Sequence, residues 1–183
     1  MNLSLNVLLD QLRDIPLEIH VSLPTNQKFC RCALLPRDYS MMRDDFIHIC
    51  RLSDALRIAA ASPGKYYLCI RDRISDHLET EEILQGMVII NENMDVEKLL
   101  SLVQDIFDRI SEWYREMQSA LIHERSLQYI LNLSEQVIGN TINISDSAFS
   151  LLARTQHIET DDTISLALAE LGYHPESTLQ MFR

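Results

Sequence analysis

The stretch from Asp95 to Ile138 contains neither glycine nor proline, and this feature most limits how the chain can fold. Its apolar residues recur in alternating steps of three and four, the spacing that keeps one stripe of a helix facing a neighbour. The stripe comprises Val96, Leu99, Val103, Ile106, Ile110, Trp113, Met117 and Ala120. Glu124 interrupts it, and the apolar residues that follow occur around most of the helix circumference. We therefore predict one long helix with a kink or break near Glu124.

This apolar stripe can pack on the chain's own domain or form the seam of a dimer, and the sequence leaves both options open. At 1.5 Å per residue the helix would span about 66 Å, more than the width of a domain of about 90 residues. This length favours a homodimer. The predicted interface residues are Val103, Ile106, Ile110, Trp113, Met117 and Ala120.

Before the long helix, short apolar runs alternate with short helical patterns. Strands are predicted at residues 46–50, 66–70 and 87–90. A helix capped by Ser53 is predicted to end at Ala61, and a brief helix is expected at residues 80–84. Strands that alternate with helices are typical of a parallel sheet.

Two further strands are predicted nearer the N-terminus, after a short amphipathic helix at residues 4–13. Residues 17–23 alternate apolar and polar side chains, and a turn-like segment separates them from residues 28–35. We predict that these two segments pair as a hairpin. Residues 1–93 should therefore form a small α/β domain with a partly parallel sheet.

After the predicted break, residues 126–138 have the pattern of the first helix of another domain. A hairpin of residues 141–145 and 149–153 should follow, and then a helix from Asp161 or Asp162 to Leu171. Another short helix is expected after Pro175. Two strands with these helices enclose only a small core, so this domain is predicted to be incomplete.

The predicted fold class is thus α/β (α+β) with three parts. Residues 1–93 form the α/β domain, residues 94–125 the long dimerising helix, and residues 126–183 the start of a second domain. Charge limits the partners of such a chain, because 27 acidic residues against 16 basic ones give a net charge of -11. This excess, without any Lys/Arg run, disfavours binding of nucleic acid or an anionic membrane.

The chain also shows neither a signal peptide nor an apolar run of about 20 residues that would cross a bilayer. Its four cysteines, Cys30, Cys32, Cys50 and Cys69, lie in apolar runs without the spacing of zinc ligands. We therefore expect reduced, buried thiols in a cytoplasmic protein. The six histidines have no partner motif for nucleophilic catalysis, so we predict no enzyme activity, metal or cofactor.

Candidate ligand-binding residues follow two of the predicted parallel strands, since ligands bind beyond the carboxyl ends of such strands. Each of these strand ends carries arginine and serine. The candidates are Arg51, Ser53, Arg71, Arg73 and Ser75. Arginine offers forked donors to a carboxylate or phosphate. The alternative is that the arginines pair with Asp54, Asp72 and Asp76 on a solvated rim. No glycine-rich loop follows a strand, so a nucleotide-phosphate cradle is not supported.

Residues 133–153, which contain Gly139-Asn140-Thr141-Ile142 and Asp146-Ser147-Ala148-Phe149, resemble the opening of a GAF/PAS-type sensor domain. There a helix leads into the first hairpin of the sheet. Further segments are similar to bacterial transcriptional regulators of the PucR/CdaR type. These segments are residues 51–56, 69–72, 103–107, 161–162 and 171–176.

In that family a sensory region precedes a C-terminal helix-turn-helix that binds DNA. The present chain lacks a basic recognition helix, so the resemblance implies the N-terminal signal-input and dimerisation portion of a longer regulator. Its expected ligand is a small anionic metabolite, and DNA would be bound only by a part outside this chain. The alternative function is that of a structural adaptor, whose acidic surface docks a protein partner and senses nothing.

Overall fold

The computed structural model describes residues 2–21, 26–59, 61, 64–74, 83–174 and 180. It confirms the predicted α/β class, with five α-helices and a mixed five-stranded sheet within these residues. The chain divides into two compact units, Met1–Asp108 and Arg109–Arg183. The boundary falls inside the longest helix, and each unit has its own sheet.

The elements of the first unit are short, apart from the helix that it shares with the second. Its strands are β1 (Leu3–Ser4), β2 (Leu17–His20), β3 (Lys28–Phe29), β4 (Arg31–Leu34), β5 (Phe46–Arg51), β6 (Tyr66–Ile70) and β7 (Met87–Ile90). Its helices are α1 (Leu5–Gln11), α2 (Leu52–Ala59) and the start of α3 (Val96–Ile122), with a single 3-10 turn at Tyr39–Met41. The second unit contains the end of α3, α4 (Leu127–Ile138), β8 (Asn143–Ser145), β9 (Leu151–Arg154) and α5 (Thr163–Leu171).

The five-stranded sheet has the order β2-β7-β6-β5-β4. Strands β4 to β7 run parallel to one another, and β2 pairs antiparallel with β7. Cys50 on β5 lies opposite Cys69 on β6, which in turn lies opposite Ile89 on β7. These strands are therefore in register, and their carboxyl ends lie side by side. The partly parallel sheet predicted for residues 1–93 is confirmed.

The predicted hairpin between residues 17–23 and 28–35 is wrong. β2 and β4 lie at opposite edges of the sheet, and the intervening β3 pairs with β1 outside it. The alternation in β2 correctly indicates a strand, but Ile19 is exposed whereas Glu18 and His20 are only partly exposed. Alternation does not specify a partner, however, and β7 offers β2 a strand in which all four residues are apolar.

Strands β5, β6 and β7 form the centre of the core. The side chains of one face pack against α2 in a single cluster: Met42, Cys50, Leu52, Ala55, Leu56, Ile58, Tyr67, Cys69, Leu84, Met87 and Ile89. Side chains alternate along a strand, so Ile47, Ile49, Leu68 and Val88 point to the opposite face, and they are buried too. Burial of both faces is typical of a parallel sheet, and it explains why these strands are continuous apolar runs.

Helix α2 starts directly after β5, without a connecting loop. Ser53 is therefore inside the first turn, and the prediction that it caps the helix is wrong. Its hydroxyl is directed to Asp72 instead. Most of the brief helix predicted at residues 80–84 lies outside the described residues.

The predicted break in the long helix is confirmed. α3 ends at Ile122, and Glu124 adopts a left-handed backbone conformation with φ of 50°. Ser126 then caps α4, because its hydroxyl accepts a hydrogen bond from the Tyr129 amide at 3.2 Å. The polar residues between α3 and α4 thus end the first helix and begin the second.

In the second unit, the predicted hairpin and the helix that follows it are both confirmed. β8 and β9 pair antiparallel, and Asp162 caps α5 by accepting bonds from the Ile164 and Ser165 amides. Gln128 of α4 bonds both the amide and the carbonyl of Arg154, which fixes α4 to β9. The helix predicted after Pro175 falls largely outside the described residues.

Glu135 on α4 is a second link between that helix and the segment after β9. Glu135 is only 8% exposed. One carboxylate oxygen accepts bonds from the Gln156 and His157 amides, and the other lies 2.7 Å from His157 Nδ1. Burial by itself raises the pKa of Glu135, but these hydrogen bonds outweigh it and hold the pKa below the ordinary 4.5.

Gly86→Ala should destabilise the first unit by about 3 kcal/mol or more. Gly86 has φ of 90°, and an added Cβ would lie 2.6 Å from the Lys65 carbonyl oxygen. Its amide and carbonyl also bond His20 and Tyr67, so the backbone cannot easily move away. Urea denaturation followed by circular dichroism measures the loss.

Gly64→Ala is the matched control for this substitution. Gly64 also has a positive φ, 78°, but an added Cβ meets no atom within 4 Å. Gly64→Ala should lower the free energy of unfolding only by the cost of the left-handed backbone conformation, about 1 to 2 kcal/mol. Equal losses of stability in the two variants would contradict the proposed steric clash.

Glu135→Gln should lower the stability of the second unit by about 1 to 3 kcal/mol at neutral pH, because the charge-assisted bonds are lost. The pKa of Glu135 is lowered on folding, so its contribution is complete above the unfolded value of 4.5 and is lost as the pH falls through the folded value. Wild type and variant should therefore converge in stability as the pH falls from 4.5 through the lowered pKa of the folded protein. Thermal unfolding between pH 3 and 8 measures this, and a constant difference would contradict it.

Candidate functional site

A cavity of about 580 Å³ lies at the carboxyl ends of the parallel strands in the first unit. Its lining begins with the last residue of β5, Arg51, and with residues 70–73 at the end of β6. Residues 91–96, which connect β7 to α3, complete the wall. We call this the carboxyl-edge cavity. The in-register parallel pairing is what brings these three segments together.

All three predicted ligand-binding arginines line this cavity: Arg51, Arg71 and Arg73. Ser53 does not line it, and Ser75 lies outside the described residues. The arginines nevertheless differ in their surroundings. Among the described residues, Arg71 forms hydrogen bonds with other side chains, and Arg51 and Arg73 do not.

Arg71 is held by Glu18 and Asn91. Its Nη2 donates to Glu18 Oε2 at 2.6 Å, and its Nε donates to Asn91 Oδ1 at 2.8 Å. Glu18 in turn lies 2.7 Å from His20 Nε2. The bond from His20, together with that from Arg71, holds the pKa of Glu18 below its ordinary value against the opposing effect of burial. Arg71 therefore belongs to a charged network that ties β2 to the strand ends.

Asp72 is also engaged. Ser53, a buried residue, donates its hydroxyl hydrogen to Asp72 Oδ2 at 2.7 Å. Asp72 Oδ1 accepts a bond from the Ile74 amide at 3.1 Å. Ser53 thus positions an aspartate of the cavity wall and is not itself in contact with the cavity.

Arg51 and Arg73 are both exposed. Within the part of the chain that the structure describes, neither guanidinium forms a hydrogen bond or an ion pair with another side chain. Glu92, on the opposite segment of the wall, is exposed in the same way. Its carboxylate likewise has no partner among the described residues. These three groups are the charges that the cavity can offer to a ligand.

The wall of the cavity includes the start of α3. Asp95 caps this helix, because its Oδ1 accepts a bond from the Lys98 amide at 2.6 Å. Asp95 and Val96 both line the cavity. A ligand in the cavity would therefore touch the residues that set where α3 begins.

A second cavity of about 370 Å³ adjoins the first, and Arg51 and Val96 line both. Its other residues come from the ends of β4 and β5, the segment that includes Arg37 and Tyr39, the start of α2, and Glu97 of α3. Sequence reasoning missed this part of the edge, as well as Asn91, Glu92 and Asn93. The rule that located Arg51 and Arg71 applies equally to the residues after β4 and β7, so the signal was present.

The predicted interface residues on α3 are largely covered. Val103, Ile106, Ile110 and Ala120 are buried within the chain. Trp113 and Met117 are half-buried in the second unit, where both contact the Ser134 hydroxyl of α4. Other apolar residues of α3 are exposed instead: Tyr114 (47%), Leu121 (65%) and Ile122 (77%).

The four cysteines are free thiols, of which Cys32, Cys50 and Cys69 are buried. Burial raises the pKa of Cys32 to about 11 and that of Cys69 well above its ordinary value. Both thiols are therefore protonated at neutral pH and are poor nucleophiles. Among the described residues, no group of three or more potential metal-ligating side chains comes together.

His48 is buried as well, and its Nε2 lies 3.2 Å from the Arg43 carbonyl oxygen. Burial lowers the pKa of His48, so the ring is neutral and donates to that carbonyl. It is enclosed in the sheet, away from the carboxyl-edge cavity.

None of the helices in the described residues is both long and apolar enough to cross a membrane. Comparisons with protein-family models, curated proteins and solved structures find no match for this chain. The resemblance to PucR/CdaR-type regulators thus rests on the quoted sequence segments alone. The chemistry of the carboxyl-edge cavity is the remaining evidence on function.

Proposed function

We propose that this chain is the signal-input and dimerisation module of a cytoplasmic transcriptional regulator, and that the carboxyl-edge cavity binds a small anionic metabolite. One observation carries the ligand-binding part of this proposal. Arg51 and Arg73 share a cavity at the ends of parallel strands and have no partner among the described side chains. The alternative, in which these arginines pair with rim carboxylates, has no such pair of Arg51 or Arg73 among the described residues, and one of its carboxylates, Asp76, lies outside them.

The engaged side chains make this cavity a prepared site. Arg71 is fixed by Glu18 and Asn91, and Asp72 is fixed by Ser53. The wall that these bonds fix needs little reordering on binding, whereas Arg51 and Arg73 become ordered only when they contact the ligand. The free guanidinium groups can each present two parallel N–H donors to a carboxylate. Among the described residues, the scaffold thus leaves Arg51 and Arg73 to hold the ligand.

The connection to α3 gives the site a means of signalling. A ligand shifts a conformational equilibrium only when its affinity for the two states differs. Asp95 and Val96 both line the cavity and begin α3, so a change in how α3 starts would alter the ligand's surroundings. We propose that occupancy biases α3 in this way. Binding of DNA is assigned to a part of the regulator outside these residues, in keeping with the family resemblance.

The dimer in this proposal uses the exposed side of α3. The four buried stripe residues could reach a partner only after a rearrangement of the chain. Tyr114, Leu121 and Ile122 are apolar and accessible without one. Exposed apolar residues grouped on one helix are a common feature of protein interfaces.

Ligand binding is tested by calorimetry with succinate, citrate and inorganic phosphate as separate probes. At least one of them should bind the wild-type chain, and Arg51→Gln/Arg73→Gln should weaken that binding by about tenfold or more, since each charge-assisted contact is worth about 1.5 kcal/mol. Arg31→Gln/Arg57→Gln is the matched control, because it removes the same charge from exposed arginines outside the cavity.

The control variant should bind as the wild type does. Binding that is equally strong in all three proteins would show that the anion sits elsewhere. Failure of every probe to bind would favour the alternative of a non-sensing structural adaptor.

Dimerisation is tested by light scattering across the micromolar concentration range. We expect a dimer of the wild-type chain, and a monomer of Leu121→Lys/Ile122→Lys, because two charges would be placed in the apolar contact. Met41→Lys places a charge at an apolar residue that is 71% exposed in the first unit, and it should leave the dimer intact. A monomeric wild type would contradict this part of the proposal.

A further inference from the structure

The charged side chains that line the carboxyl-edge cavity fall into two classes. Arg71, Asp72 and Asp95 each form hydrogen bonds within the chain. Arg51, Arg73 and Glu92 form none with the described residues, although they line the same cavity. The free groups are thus two guanidinium groups and one carboxylate.

The presence of Glu92 bears on what kind of anion fits. The lining as a whole holds three arginines and three acidic residues, so their charges cancel. The chain around it has a net charge of -11. A ligand with negative charges alone would gain from Arg51 and Arg73 but would be repelled by Glu92, and like charges close together are costly in a partly enclosed site.

We infer that the cavity selects an amino dicarboxylate, that is, a small molecule with two carboxylates and one ammonium group. This inference rests on the proposed function, since it specifies the ligand of the same site. The two carboxylates pair with Arg51 and Arg73, and the ammonium group pairs with Glu92. At neutral pH such a ligand has a net charge of −1, which complements the net charge of +1 on the three free groups.

The engaged residues support the same choice. Asp72 and Asp95 accept hydrogen bonds from a hydroxyl and from backbone amides, so ligation of an ammonium by either would disturb the chain's own bonds. Glu92 can take an ammonium without such a loss. Asn93, beside it in the wall, adds an amide that can donate or accept. Glu92 is therefore the residue that makes the cavity prefer an amino dicarboxylate over a dicarboxylate without an amino group.

Calorimetry with L-glutamate and glutarate tests this inference on the whole chain. The two probes have the same five-carbon dicarboxylate skeleton and differ in the amino group. The wild type should bind L-glutamate about tenfold more tightly than glutarate, the effect of one added charge-assisted contact. Glu92→Gln should weaken L-glutamate binding about tenfold and strengthen glutarate binding, so the two effects have opposite signs.

Glu97→Gln is the matched control. Glu97 is an exposed acidic residue close by, in the first turn of α3, and it lines the smaller adjoining cavity but not the carboxyl-edge cavity. Its removal changes the net charge by the same amount and should leave the preference for L-glutamate over glutarate unchanged. The control thus separates local recognition by Glu92 from the general field of the acidic chain.

Three results would overturn the inference. Glutarate that binds as tightly as L-glutamate, with both dependent on Arg51 and Arg73, would remove the role of the ammonium and leave the proposed function standing. L-norvaline, which lacks the second carboxylate, should bind at least tenfold more weakly than L-glutamate, and equal binding would remove the need for two arginines. If neither L-glutamate nor glutarate binds, the inference is wrong. Binding of citrate or phosphate would then still support the proposed function, and failure of these probes as well would contradict it.

Discussion

The parallel pairing of β5, β6 and β7 is the constraint on which the rest of the first unit depends. These strands are buried on both faces, so their backbone groups must bond one another and their side chains are mostly apolar, with the buried, neutral His48 as an exception. Charged residues then occur where the strands end. Because the strands are in register, Arg51, Arg71 and Asn91 emerge at one edge, and this common edge becomes the wall of the carboxyl-edge cavity. The same pairing therefore determines both the core and the place of the candidate site.

Much of this architecture could be predicted from the sequence, because local patterns specify it. The apolar runs of β5 to β7 indicate buried strands, and the residues after them are candidate ligand groups by the rule for parallel sheets. The partner of β2 could not be predicted in this way. Its alternating residues fit either edge of the sheet, and the preference for a nearby hairpin gave the wrong one. The outcome matters for the site, since pairing of β2 with β7 is what brings Glu18 to Arg71.

Sequence reasoning also could not distinguish free from engaged side chains. Arg51, Arg71 and Arg73 are chemically the same, but Arg71 is held by a glutamate that is distant in sequence, and Ser53 is occupied by Asp72. Such assignments depend on the positions of atoms within a few ångströms, which composition and periodicity do not encode. Glu92 looked like part of a linker before α3, although the rule for the carboxyl ends of parallel strands applies to the residues after β7 as well. Its place in the cavity wall follows from the sheet order and not from any local motif.

The long helix shows a related limit of periodicity. The stripe identifies residues that require apolar surroundings, and Val103, Ile106, Ile110 and Ala120 have them. It does not identify whether these surroundings come from the same chain or from a second one. The start of α3 is less ambiguous, since Asp95 both caps the helix and lines the cavity. Its carboxylate already accepts a bond from the Lys98 amide in the first turn of α3, so an anionic ligand gains little from that amide unless Asp95 moves. Any effect of such a ligand on α3 must therefore come from the difference between the capped and uncapped states of that first turn.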